Sequence, residues 1–477
     1  MARLRTTAAS LAANGVGAAL GQVIEVVALL GLARTLSATD VATYFLILQG
    51  IRFAYILESG MGQDLTRSLA GTSQLTNDNA HRAMKSGAVW YAWLFAASTV
   101  VVLIGSLVVM VSKSEVNGRL FFLIGLATSL RILSDGCARA LTGLMMLIRT
   151  RSISFARSVG LLMVALVLAP IGSGPFGMGI LGLEILLFAA SVIPLRHRVH
   201  ASWPYQRYTS KEYRHVVTPM AKANITGFLS NRLDGFFVGF FVGTPAVVIH
   251  GILLRVYDVA RGGIELLMTG VVQAVSVSWR GRNNADLGSV LKFAVGVSTI
   301  VAAVGGVLVF VARPFLDAAF PQQINVSVWT YLAVATALIM VSQSVAYVYV
   351  ATGLDLINRL LVGVYLSSAV NFVTTLVATW LLGVAGPFIG IAVGGFVSAF
   401  AHPWRLRGEI SNWTNDSVIR GIRLASCLIF LTSIGASLLV DSGPIQIGIA
   451  CASLILGALM MRMVPLKQFL RVAHRAR

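Results

Sequence analysis

Residues 86–111 read SGAVWYAWLFAASTVVVLIGSLVVMV, with no charged side chain between Ser86 and Val111 and with Lys85 and Lys113 just outside. About 20 mostly apolar residues suffice to cross the hydrocarbon of a bilayer as a helix. A surface helix of a soluble domain would show one apolar stripe and one polar face. This stretch is apolar all round, so it reads as a membrane span. Working outward, the same pattern recurs along the chain. Spans are expected at about 14–35, 41–63, 86–111, 119–145, 151–170, 177–195, 217–243, 246–275, 287–312, 326–352, 357–383, 386–403, 418–440 and 443–464. The fold class is therefore an all-α polytopic membrane protein of about fourteen transmembrane helices. Arg3 and Arg5 before the first apolar run resemble a signal peptide, but the run continues to Leu36 without a cleavage site and reads as an uncleaved first helix.

Composition agrees. The 477 residues are 57% hydrophobic and only 12% charged, about half the charged share of a soluble domain. The 46 glycines suit helices packed backbone to backbone in lipid. No polar stretch is long enough for a separate soluble domain. The net charge of +19 would suggest nucleic acid in a soluble chain. Here twenty-seven of the 37 lysines and arginines fall on one side of the alternating helices, and the outside loops hold only Arg34, Lys113, Arg119 and Arg313. That is the positive-inside pattern, with both termini cytoplasmic, and no nucleic-acid partner is expected.

Cys137, Cys427 and Cys451 are far apart in apolar stretches and read as small buried hydrophobes, not disulfides or metal ligands. No phosphate-binding G-x-x-x-x-G-K-[ST] loop is present. The outside loops are short, which argues against a receptor and against a membrane polymerase or ligase. No catalytic residue, metal site or cofactor is expected, and the chain reads as a non-enzyme.

The helices divide by their ionisable residues, which cost about 2.5–3.5 kcal/mol each at the bilayer centre. Within the expected spans stand Arg52, Arg131, Arg139, Arg232, Arg255 and Arg261, with Glu25, Glu58, Asp135, Glu184, Asp234, Asp258 and Glu265. Arg131, Asp135 and Arg139 step by four along the fourth span; Arg255, Asp258, Arg261 and Glu265 share one face of the eighth. The six arginines are the candidate substrate-binding residues, suited to an anion by their bidentate fork. The acids Glu25, Glu58, Asp135, Asp234, Asp258 and Glu265 are candidates for holding those arginines or coupling ion movement. One polar cavity between two lobes would satisfy them together. The competing reading is a set of interhelical salt bridges, with Arg52 or Arg139 snorkelling to an interface. Glycine steps at 235/239/243 and 386/390/394 read as packing ridges. Gln343, Tyr347 and Tyr349 could touch a sugar or be ordinary helix aromatics, and the glycosylation triplets at Asn224, Asn325, Asn412 and Asn415 read as chance.

Ala13-Asn14-x-x-Gly17 in the first helix is echoed by Ala223-Asn224-x-x-Gly227 in the seventh. That supports a repeat: residues 1–212 as one six-helix lobe, 213–408 as a second, and 409–477 as a C-terminal helix pair with a basic tail suited to anionic lipid.

Asn14-Gly15, the run Leu32-Ala33-Arg34-Thr35-Leu36-Ser37 leading to Tyr44, and the segment Asn224 to Asp234 resemble polysaccharide flippases of the multidrug/oligosaccharidyl-lipid/polysaccharide exporter superfamily. The resemblance implies two six-helix lobes and transport of a polyprenyl-diphosphate-linked oligosaccharide across the inner membrane. Membrane lipids and glycan-assembly proteins would be the further partners. Fourteen helices match the branch that flips the peptidoglycan precursor, where arginines on helices 1, 2 and 8 matter. Arg52 and Arg255 fit helices 2 and 8, whereas the first helix offers Glu25, which favours a capsule, O-antigen or exopolysaccharide substrate. The other readings are the peptidoglycan-precursor flippase itself, a multidrug exporter of the superfamily, and a polysaccharide polymerase or ligase.

Overall fold

The computed structural model describes residues 20–58, 78–111, 117–199, 233–280, 284–320, 326–406 and 443–465, apart from single positions, with scattered positions within 62–69 and 423–431. These residues are helical throughout, and no strand occurs among them. The main helices are α1 (20–35), α2 (Ala38–Glu58), α3 (Asp78–Val111), α4 (Gly118–Gly143), α5 (Leu147–Val167), α6 (Ser173–Val199), α7 (Asp234–Phe241), α8 (Thr244–Arg280), α9 (Asn284–Val311), α10 (Val328–Gly353), α11 (Ile357–Leu382), α12 (Ala385–Arg405) and α13 (Gly443–Met461), with a short helix, Arg313–Ala319, between α9 and α10. The all-α polytopic architecture expected from the apolar runs is the one observed. Eight of the described helices are long and apolar enough to cross a membrane. Outside those eight, α8 carries four ionisable side chains between Arg255 and Glu265, yet its 37 residues span about 55 Å at 1.5 Å per residue.

Local chemistry sets the helix ends. Ser37 and Asp40 open α2: the Asp40 N–H donates to Ser37 Oγ at 3.1 Å, and Ser37 Oγ donates to Asp40 Oδ2 at 2.9 Å. The Ser37 cap satisfies one backbone donor that a helix start leaves unpaired, and Asp40 holds the capping hydroxyl in place. Asn117 caps α4 by accepting from the Leu120 N–H at 3.2 Å, and Ser327 caps α10 by accepting from the Trp329 N–H at 3.3 Å. Gly243 has φ of 112° and sits in the turn between α7 and α8. The ridge expected along Gly235, Gly239 and Gly243 therefore stops one member short, because Gly243 is needed for a left-handed backbone.

The chain forms two compact units, one of Ala12–Gly239 with Gly243–Ile252, the other built mainly of Leu253–Arg477. The lobe boundary expected at 212/213 and the Asn224 half of the repeat lie outside the described residues, as do Asn14, Asn325, Asn412 and Asn415. In the first unit α4 packs against α3 and α6, and α6 against α5. In the second, α10 packs against α9 and α12, and α12 against α11. The neighbour order is the same in both.

One corner shows the correspondence in atoms. Thr142-Gly143-Leu144 ends α4 and Thr352-Gly353-Leu354 ends α10. The Leu144 N–H donates to the Ala140 carbonyl at 2.9 Å and Met146 N–H to Leu141 at 2.8 Å; Leu354 N–H donates to Val350 at 3.0 Å and Leu356 N–H to Ala351 at 2.8 Å. Thr142 and Thr352 each turn a hydroxyl back onto the carbonyl four residues earlier, both at 2.8 Å. Both leucines are buried, so the chain reverses over an apolar plug.

The glycine ridge of α12 packs as expected. A Cβ on Gly386 would strike the backbone of Thr379, one on Gly390 would land on Thr375 Oγ1, and one on Gly394 would press on Asn371. Small residues let α11 and α12 approach closely where lipid supplies no hydrophobic drive. The three cysteines are free. Cys427 and Cys451 are exposed, not buried as expected, because their helices turn an apolar face outward, which costs nothing in lipid.

Candidate functional site

The fourth span holds the expected stripe. Arg131 and Asp135 lie one turn apart on α4, with Arg131 Nε 3.9 Å from Asp135 Oδ2 and side chains 32% and 28% exposed. Arg139, a turn further, is exposed. The other oxygen of Asp135 is engaged from α5, where Arg157 Nη1 donates to Asp135 Oδ1 at 3.3 Å. Arg157 also meets Glu184 of α6: Nη2 donates to Oε2 at 3.1 Å, and Nε stands 3.0 Å from Oε1 without being aimed for a hydrogen bond. Nη2 further donates to Ser134 Oγ at 3.2 Å. The Arg157 and Glu184 side chains are only 11% and 7% exposed. Next to Arg157, Ser158 donates to Glu25 Oε1 on α1 at 3.2 Å. Four helices of the first unit are thus linked by polar side chains, and two buried charges answer each other where an isolated one would be prohibitive.

Arg157 is absent from the intramembrane charges expected from the sequence, although it lies within the expected span at about 151–170. The fifth span begins at Leu147, not at about 151. Arg157 therefore lies ten residues into α5, about 15 Å along its axis. The signal was present in Glu184, the one intramembrane acid outside the charged helices, which required a cation from another helix.

In the second unit Arg261 Nε donates to Glu265 Oε1 at 2.7 Å, one turn apart on α8. Those side chains are 36% and 39% exposed. Arg255 and Asp258 lie on the same face and are partly buried. Asp234, the first residue of α7, is 1% exposed and belongs to the first unit. Its carboxylate at a helix start is favoured by the α7 dipole. Arg52 and Glu58 lie on α2, but their side chains, like Arg232 as a whole, fall outside the described residues. The structure therefore brings together Arg131 with Asp135 and Arg261 with Glu265, and joins the first pair to Arg157 and Glu184. Among the described residues no cluster of His, Cys, Asp or Glu has metal-binding geometry.

Tyr347 is 1% exposed. Its hydroxyl accepts from Arg423 Nη2 at 2.7 Å, and the guanidinium lies 5.8 Å from the ring centroid. This aromatic tethers the C-terminal segment to α10, while a Cβ on Gly457 of α13 would collide with Val304 of α9. Of the aromatics that could have touched a sugar, Tyr347 is thus occupied within the protein.

No protein-family profile and no characterised protein matches the chain by sequence. Solved structures do match by shape. An inward-facing multidrug resistance MATE family transporter of the MOP superfamily superposes with TM-score 0.68 at 11% identity, covering 83% of this chain and 96% of its own. The lipid II flippase MurJ in an inward closed conformation gives TM-score 0.66 at 13% identity, covering 94% and 98%. A MATE in complex with MaD3S gives 0.62 at 12% identity, covering 85% and 96%. At such identities the likeness is one of architecture: the chain has the all-α membrane fold shared by the MATE transporters and the lipid II flippase MurJ.

Proposed function

We propose that this chain is a flippase that carries a polyprenyl-diphosphate-linked oligosaccharide across the cytoplasmic membrane by alternating access, for cell-surface polysaccharide synthesis. The observation that carries the reading is the partly exposed Arg131 on α4, a cation at membrane depth whose acid partner stands 3.9 Å away. The planar fork of a guanidinium suits the oxygens of a diphosphate. Arg139 extends the same stripe, and Arg255 and Arg261 supply the corresponding cations on α8. The fold supports transport over group-transfer chemistry. Translocation needs no bond to break, so the chain's work is to bind the charged head, shelter it from hydrocarbon, and release it on the other side while the lipid tail stays in the bilayer. The lipid II flippase covers more of this chain than the MATE structures do, which favours a lipid-linked substrate over a free drug.

The test is to replace Arg131, Arg139, Arg232 and Arg255 singly by Gln and to measure lipid-linked glycan left on the cytoplasmic leaflet. Loss of transport with retained folding is expected for at least Arg131 and Arg255. Normal transport by all four folded variants would overturn the reading.

A further inference from the structure

Of the two tyrosines near the end of α10, Tyr347 is taken by Arg423, and Tyr349 turns to other neighbours. Tyr349 is partly buried and lies within electrostatic reach of Arg261 and Glu265 on α8. The two helices press together just beyond it: a Cβ on Gly353, one turn further, would strike Val275 and the Val272 carbonyl. Arg261 and Glu265 stand near the middle of the 37 residues of α8, bonded at 2.7 Å, with side chains 36% and 39% exposed. Lipid is a costly neighbour for such charges, so the exposed side of the pair faces water. Tyr257, one turn before Arg261, is 2% exposed and backs the guanidinium from within the protein.

The formal charges on this face of α8 cancel, two arginines (Arg255 and Arg261) standing with two acids (Asp258 and Glu265). The Arg261–Glu265 pair itself is neutral, so it favours neither a phosphate nor a cation. What it offers is hydrogen bonding of both kinds. The Arg261 fork donates; the bond to Arg261 uses Oε1 of Glu265, which leaves Oε2 to accept; the Tyr349 hydroxyl does both. A sugar ring matches that combination, because its hydroxyls donate and accept and its C–H face lies flat on an aromatic ring. We propose that Arg261, Glu265 and Tyr349 form a sugar-binding subsite: the Arg261–Glu265 pair hydrogen-bonds neighbouring hydroxyls of the transported glycan, and Tyr349 adds its hydroxyl and ring. This deepens the flippase reading and rests on it. It gives Arg261 the neutral part of the substrate to hold, with Glu265 fixing the direction of the guanidinium. All three residues belong to the second unit. The subsite distinguishes a lipid that carries sugar from a bare lipid diphosphate, which arginines alone do not.

The experiment uses the purified full-length chain in nanodiscs and two probes: polyprenyl diphosphate, and the polyprenyl-diphosphate-linked oligosaccharide pool extracted from the cells that make the protein. The native chain should bind the sugar-bearing probe more tightly than the bare one. Tyr349→Phe keeps the ring and should weaken the sugar-bearing probe about two- to tenfold, the span of one ordinary hydrogen bond, with the bare probe unchanged. Glu265→Gln should also weaken the sugar-bearing probe and, by unmasking the Arg261 charge, tighten the bare one. Opposite shifts are what a merely structural Glu265 would not give, since disturbed packing weakens both probes together. A native chain that binds the two probes equally, or variants that lose affinity for both alike, overturns the sugar subsite and leaves the anion reading standing. A native chain that binds neither probe overturns the flippase reading as well. Should Glu265→Gln not fold, Tyr349→Phe decides alone.

Discussion

Arg157 shows how much one guanidinium can organise. It answers Asp135 on α4 and Glu184 on α6 from its place on α5. Removing one partner of such a buried set strands the others, at a cost of about 3–5 kcal/mol. Arg157→Gln should therefore lower the unfolding midpoint of the detergent-solubilised protein sharply. Arg131→Gln should change stability by less than about 1 kcal/mol, because its pair is partly exposed. A chemical-denaturation series on the two variants checks the contrast; equal losses would show that Arg131 is as structural as Arg157. Tyr347 offers a second residue-scale test. Tyr347→Phe removes the acceptor of Arg423 Nη2, leaving a partly buried donor unmet at a cost of up to about 1–3 kcal/mol. Tyr347→Trp, which has no acceptor oxygen, should not restore the loss.

At the scale of elements, the α11–α12 contact depends on glycines that have no room for a side chain. A Cβ at Gly390 would coincide with Thr375 Oγ1, so Gly390→Ala must push the helices apart or break the hydroxyl's packing. Gly448 in α13 meets nothing within 4 Å. Gly448→Ala should be neutral or stabilising by up to about 1 kcal/mol, the helix-propensity gain over glycine. Thermal unfolding of both variants separates a packing glycine from an ordinary one. Much at this scale was legible in the sequence. The apolar runs located α3 to α6 and α9 to α12 because hydrophobic length is a local property. The 386/390/394 step marked a close helix contact for the same reason. The start of α5 was not legible: the corner after Thr142-Gly143-Leu144 is so tight that the next helix begins four residues early. That shift carried Arg157 from six residues inside the expected span to ten residues inside the observed helix, where its side chain is largely buried.

For the whole molecule, the testable quantity is orientation. The corners Leu144–Leu147 and Leu354–Ile357 carry exposed Arg149 and Arg359 just beyond them, and the charge bias would place both in the cytoplasm. In a variant with Cys137, Cys427 and Cys451 replaced, single cysteines at Arg149 and Arg359 should react in intact cells only with membrane-permeant reagents. A cysteine at Lys113 should react with impermeant ones. Labelling of positions 149 and 359 from opposite sides would mean that the two matching corners are inverted relative to each other and that the helix alternation is miscounted.

The sequence by itself determined that this is a helical membrane protein, which helices carry charge, and which spacings put charges on one face, because hydropathy and helical periodicity depend only on neighbours along the chain. Only the tertiary structure decided who pairs with whom. Glu184 and Asp135 lie 49 positions apart in the chain (184 − 135) and meet through an arginine that belongs to neither helix. Ion pairing follows distance in space, and in lipid that distance is set by how the helices pack. The packing left Arg131 partly exposed and drew Arg157 in between Asp135 and Glu184.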